Sequence, residues 1–119
     1  LNIPLTSDRN ITVLQLKNML KEREFIIIDV REPSELKESG QIFGAINIPL
    51  GTVNEAFSMT KEDFLKKFGV EMPSVYNRNV VFHCKSGFRS RKAIHIVESL
   101  GYRSVLNLDG GYLAWSEHK

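Results

Sequence analysis

One cysteine among 119 residues leaves no internal disulfide, no CxxC redox pair and no multi-cysteine metal site. A lone thiol fits a reducing compartment, and the expected location is intracellular, cytoplasmic or mitochondrial. No apolar run approaches the roughly 20 residues of a membrane-spanning helix, and no basic start followed by an apolar stretch marks a secretory leader. The start at Leu1 rather than Met leaves flanking sequence open. Neither sign of charge dominates: a net +2 is too mild to argue for nucleic acid or a membrane surface. Repeats, low-complexity tracts and long Gly/Ser linkers are missing too. With 42% hydrophobic and 25% charged residues, the chain is expected to fold as a single domain over 1–119 around one core.

Helical and strand patterns alternate along it. In "TVLQLKNMLKE" (12–22), Val13, Leu16, Met19 and Leu20 recur at helical spacing, and Thr12 with Gln15 forms a capping box. "FIIIDV" (25–30) is a continuous apolar run, the pattern of a strand buried on both faces of a parallel sheet. "REPSELKESG" predicts a turn and a short helix stopped by Gly40, and "AINIP" (45–49) a short strand. "MTKEDFLKKFG" (59–69) predicts a helix capped by Thr60 and ended by Gly69, with Phe64, Leu65 and Phe68 inward. "NVVFHC" (79–84) predicts a buried strand and "RSRKAIHIVESLG" (89–101) a helix with Ala93, Ile94, Val97 and Leu100 on one face. "SVLNL" (104–108) is the last strand. "DGGYLAWSEHK" adds a glycine turn and an apolar segment in which Tyr112 and Trp115 cover the core. A very short first strand is expected near Asn10–Ile11. The fold class is α/β, a mostly parallel central sheet with helices on both faces.

The cysteine sits where such a sheet collects ligands, outside the carboxyl end of a strand. "CKSGF" must turn tightly before the helix, and Gly87 supplies the freedom to do so. Successive amides in such a turn form an anion cradle, and a helix start adds partial positive charge. Lys85, Arg89, Arg91 and Lys92 follow closely, so the Cys84 thiol is expected to be acidified. Arg89 is the cation expected at the site; the other three suit a solvated face. Four residues separate Cys84 from Arg89. Cysteine phosphatases place one more there, to wrap a phosphate. The shorter loop suits a single added sulfur atom. His83 precedes the cysteine on the strand and is expected to face the opposite way. Phe88 either packs on the protein or shapes an apolar mouth.

Four segments, in order, resemble the rhodanese family of single-domain sulfurtransferases: "IIIDVREPSEL", "GQIFGAINIPL", "HCKSGFRS" and "GYRSVLNLDGGYLAW". Three positions depart from the family's usual pattern. Gln41 stands where His is common, Phe43 where Pro is common, and Lys85 where Arg is frequent. At 85 a point charge replaces a planar fork. The resemblance implies a rhodanese-like three-layer sandwich and sulfane-sulfur transfer through a Cys84 persulfide. The donor it implies is thiosulfate or a similar compound, and the acceptor is cyanide, glutathione or a protein thiol. Cys84 would be catalytic, with Lys85, Ser86, Gly87, Phe88 and Arg89 as the active loop. Asp29, Arg31 and Ser90 would support it: Asp29 by orienting loop or backbone groups, Arg31 structurally or at the mouth, and Ser90, like Ser86, by donating its hydroxyl to the sulfur or capping the helix, with capping the favoured role for Ser90. No metal, other cofactor, nucleic acid or membrane is implied, and a monomer is expected. Two other readings share the scaffold: a small cysteine phosphatase or arsenate reductase, and a non-enzymatic redox-sensing or interaction module.

Overall fold

A computed structural model describes residues 9–118. Strands β1 (Asn10–Ile11), β2 (Ile26–Asp29), β3 (Ile46–Asn47), β4 (Val80–His83) and β5 (Leu106–Leu108) form one sheet in the order β1-β5-β4-β2-β3. Every pairing is parallel. Helices α1 (Val13–Leu20), α2 (Pro33–Ser39), α3 (Val53–Ala56), α4 (Lys61–Phe68), α5 (Phe88–Ser99) and α6 (Gly111–Glu117) fill the connections. The result is an α/β three-layer sandwich.

The strand alternation sorts the core into two layers. Ile28, Val80 and Phe82 pack with Val53, Phe64, Ala93, Ile94 and Val97 from α3, α4 and α5. Ile27, Val81 and Leu108 pack on the other face with Leu16 of α1 and Tyr112 and Trp115 of α6. The strand order explains the division. A right-handed crossover that moves one way along a parallel sheet covers one face, and one that moves back covers the other. The chain leaves β2 towards β3 and leaves β4 towards β5, in opposite directions. Strands β2 and β4 are neighbours, so a crevice opens beyond their carboxyl ends, at the switch point where α/β sheets bind ligands.

Local chemistry matches the sequence reading at several ends. Gln15 N donates to Thr12 Oγ1 (3.0 Å) and Thr12 N to Gln15 Oε1 (2.8 Å), completing the capping box. Asp63 N donates to Thr60 Oγ1, and Gly69 ends α4 in the left-handed region at φ +77°. Leu65 is a correction: it is 47% exposed rather than inward. Phe64 and Phe68 pack one turn apart, their rings tilted by 52° with centroids 4.7 Å apart, and Leu65 lies about 100° round the helix from Phe64. The 3₁₀ turn Leu50–Thr52 and α3 are additions, too short for a helical period to show in the sequence.

Candidate active site

Strand β4 delivers Cys84 and the turn after it. Val80, Phe82 and Cys84 share one face, and His83 points to the other. The chain then folds back on the sulfur. Gly87 N donates to Sγ at 3.0 Å, Ser90 N at 3.4 Å, and Ser90 Oγ lies 3.5 Å away. Gly87 takes φ +116°, closed to residues with a Cβ, and stands as N-cap of α5. The turn is thus an amide nest completed by a helix start.

The thiol is acidified, though by other groups than the cations expected. Burial pushes it up, and hydrogen bonds from the Ser90 hydroxyl and the amides of Ser90, Gly87 and Ser86 bring it below the ordinary thiol value. Lys85 points to solvent. Arg89 is turned to Glu35 of α2, donating from Nη1 at 2.7 Å and Nη2 at 2.9 Å. Ser90 does not cap the helix. It is the third residue of α5, and its hydroxyl meets Gly87 O, Asn107 Oδ1 and the sulfur. Phe88 is 68% exposed on the rim, with Lys92 Nζ 4.8 Å from its ring centroid.

Glu35 has no place in the sequence reading, although it lies in the "DVREPSEL" segment. Its carboxylate accepts the Arg89 fork and the Glu32 amide that begins α2. The Arg89 guanidinium, against some burial, draws its pKa down to about 2. The folded value lies below the unfolded one, so the pair contributes stability above pH ~4.5 that is lost as pH falls towards 2. Glu35→Gln is expected to free Arg89, loosen the loop and change the rate at which iodoacetamide alkylates Cys84. Stability should fall by no more than ~1 kcal/mol, because both side chains are partly exposed. Stopped-flow rates beside urea midpoints check the split.

Asp29 and Arg31 lie behind the loop, at the end of β2. Both are buried, and the guanidinium grips the carboxylate through Nε at 3.0 and 3.1 Å and Nη2 at 2.6 Å. Arg31 also donates to Ser39 Oγ and Gly40 O and lies over the Tyr112 ring at 4.4 Å, joining the end of α2 to α6. Asp29 accepts the Arg31 amide and does not reach the Cys84 side chain. His83 is fully buried; its Nδ1 lies 3.2 Å from Cys84 O and its Nε2 3.6 Å from Asp29 Oδ2. Burial lowers its pKa, outweighing the pull of Asp29.

The closing segment locks the loop from below. Tyr112 N donates to Cys84 O (2.8 Å) and Leu113 N to Lys85 O (3.1 Å). A Cβ on Gly111, at φ +58°, would sit 2.5 Å from Cys84 O and 2.6 Å from Lys85 O. Gly111→Ala should therefore cost at least the ~1–3 kcal/mol of a strained residue and loosen the turn. Thermal unfolding and Cys84 alkylation rates report the two effects. Beside this contact a cleft of ≈ 230 Å³ opens between Lys85, Arg31, Glu35, Glu38, Tyr112 and Leu113. Among the described residues, no cluster of His, Cys, Asp and Glu suits a metal ion, and no helix is long and apolar enough to cross a membrane.

The sequence pattern of the Rhodanese-like domain matches residues 12–118. This chain belongs to the rhodanese family. Mouse thiosulfate sulfurtransferase/rhodanese-like domain-containing protein 3 is 39% identical over 110 residues, 92% of this chain and 69% of its own. Human thiosulfate:glutathione sulfurtransferase is 31% identical over 107 residues, 90% of this chain and 92% of its own. A solved human single-domain sulfurtransferase superposes with a TM-score of 0.85 at 29% identity, covering 99% of both chains. Within this rhodanese, Cys84, Ser86, Gly87 and Ser90 gather around one sulfur, and Arg89 is held through Glu35. Asp29 and Arg31 brace the neighbouring strand end, and Lys85 and Phe88 form the rim.

Proposed function

We propose that this rhodanese is a sulfurtransferase that moves the sulfane sulfur of thiosulfate, or a similar donor, to a thiophilic acceptor. The observation that carries the reading is the set of hydrogen bonds aimed at Cys84 Sγ inside a four-residue loop. In the first step the Cys84 thiolate attacks the outer sulfur of thiosulfate. The new S–S bond forms as the donor's S–S bond breaks, and sulfite leaves with the electron pair. In the second step an acceptor thiolate attacks the outer sulfur of the Cys84 persulfide and departs as a persulfide itself, restoring the Cys84 thiolate. Cyanide accepts the same sulfur as thiocyanate. This is covalent catalysis by an activated nucleophile, with preorganised amides of Ser86, Gly87 and Ser90 facing the charge as it develops.

Cys84 is only 1% exposed. The donor therefore enters where Ser86 and Phe88 form the exposed rim, and the rim parts to admit the outer sulfur. Lys85 attracts the anionic donor from the edge of the cleft, and Arg89 holds the loop in register through Glu35. Acceptors are small thiols such as glutathione, or a protein thiol. The protein works as a monomer inside the cell, in the cytoplasm or in mitochondria, without nucleic acid or membrane. A phosphatase on the same scaffold is disfavoured by the loop length. Steady-state transfer from thiosulfate to cyanide and then to glutathione tests the proposal, with a phosphate ester as the competing substrate. Turnover of the ester without sulfur transfer would reverse the assignment.

A further inference from the structure

Asn107 is a fully buried amide in an otherwise apolar strand. It is in register with Phe82, two residues before Cys84 on β4, and its side chain meets α5 on the sulfur's face of the sheet. Its Oδ1 lies 2.5 Å from Ser90 Oγ, while its Nδ2 donates to Asn10 Oδ1 at 2.8 Å. Ser90 Oγ therefore has three neighbours for one proton: Asn107 Oδ1 at 2.5 Å, Gly87 O at 3.1 Å and Cys84 Sγ at 3.5 Å.

The charge on the sulfur decides where that proton goes. In the thiol, S–H donates to Ser90 Oγ and the hydroxyl donates to Asn107. In the thiolate, the hydroxyl turns to the sulfur, and its lone pairs then face Asn107 Oδ1. Once Sγ carries a second sulfur, the negative charge moves outward, Sγ no longer needs the proton, and the hydroxyl returns to Asn107. We propose that Asn107 is a positioning residue that competes with Cys84 for the Ser90 hydroxyl proton and so favours states in which Sγ carries no charge. Its purpose rests on the sulfur-transfer reading: it keeps the thiolate basic and assists the move of charge to the outer sulfur. An unpartnered amide oxygen at this depth would be costly, and the short contact to Ser90 meets that need.

The test is the pH dependence of Cys84 alkylation by iodoacetamide, which needs no sulfur donor. Asn107→Leu removes the nearer of the two competing acceptors, leaving Gly87 O, and should lower the midpoint by up to about 0.7 unit, the equivalent of one hydrogen bond. Asn107→Asp keeps the shape and strengthens the competitor, so the midpoint should rise. It supplies a second reading if the leucine variant does not fold. Ser90→Ala should raise the midpoint, and in that background Asn107→Leu should no longer lower it. A midpoint unmoved by either Asn107 change, or an equal downward shift with Ser90 absent, overturns the proposal. A wild-type protein that alkylates as described yet moves no sulfur would refute the functional reading and leave these midpoints to decide the role of Asn107.

Discussion

Cys84→Ser is expected to lower transfer from thiosulfate by at least about 10³-fold, some 4 kcal/mol of lost transition-state stabilisation, while leaving the fold in place. The sulfur is the only thiol in the chain, so no neighbour can take over its role. A serine hydroxyl fits the same nest and accepts the same Gly87 amide bond. It stays protonated at neutral pH, however, and cannot hold a transferable sulfur as an S–S bond does. Steady-state thiocyanate formation measures the loss, and far-ultraviolet circular dichroism confirms the fold. Retained activity would move the chemistry elsewhere in the molecule.

The second large effect is on stability. Asp29→Ala should destabilise the protein by about 3–5 kcal/mol. That is a large share of the 5–15 kcal/mol typical of a whole domain. The substitution strands the Arg31 guanidinium, which is 1% exposed and gives two of its three nitrogens to this carboxylate. Arg31 would keep Ser39 Oγ and Gly40 O, which do not neutralise it. Urea unfolding gives the magnitude. Replacing both partners, as Asp29→Leu with Arg31→Met, should recover most of the loss, because two apolar side chains leave no unpaired charge. A single-variant loss below ~1 kcal/mol would mean that solvent reaches the pair. The effect on turnover is expected to follow stability alone, since Asp29 does not contact the Cys84 side chain.

The strands and helices were legible because their signals are local. The apolar run before Asp29, the Thr12–Gln15 box and the Gly69 stop depend on neighbours a few residues apart, and all stand in the structure. The place of Cys84 at a strand end was legible for the same reason. What surrounds the sulfur was less so. A run of cations after a cysteine suggests a positive ring, yet a side chain's charge goes to whichever partner the fold presents. For Arg89 that partner is Glu35, 54 residues away in sequence. Serine commonly starts helices, which favours a cap at Ser90 over a sulfur contact, but α5 begins two residues earlier, at Phe88. That places its hydroxyl inside the first turn, facing the sulfur. Two clues to what lies behind the sulfur stand in the sequence. One is the polar Asn107 inside "SVLNL"; the other is the paired glycine before Tyr112, which lets α6 approach the Cys84 carbonyl. Neither clue names its partner, because each contact crosses between elements that only the folded sheet brings together.

The claim beneath all of this is that sulfur 84 accepts a second sulfur and gives it up again. Intact-protein mass spectrometry tests it directly, before and after thiosulfate and then after glutathione. The account predicts a gain of one sulfur atom in the wild type, none in Cys84→Ser, and return to the starting mass once the thiol is added. A wild-type mass that thiosulfate leaves unchanged, or one that gains only oxygen, would contradict it.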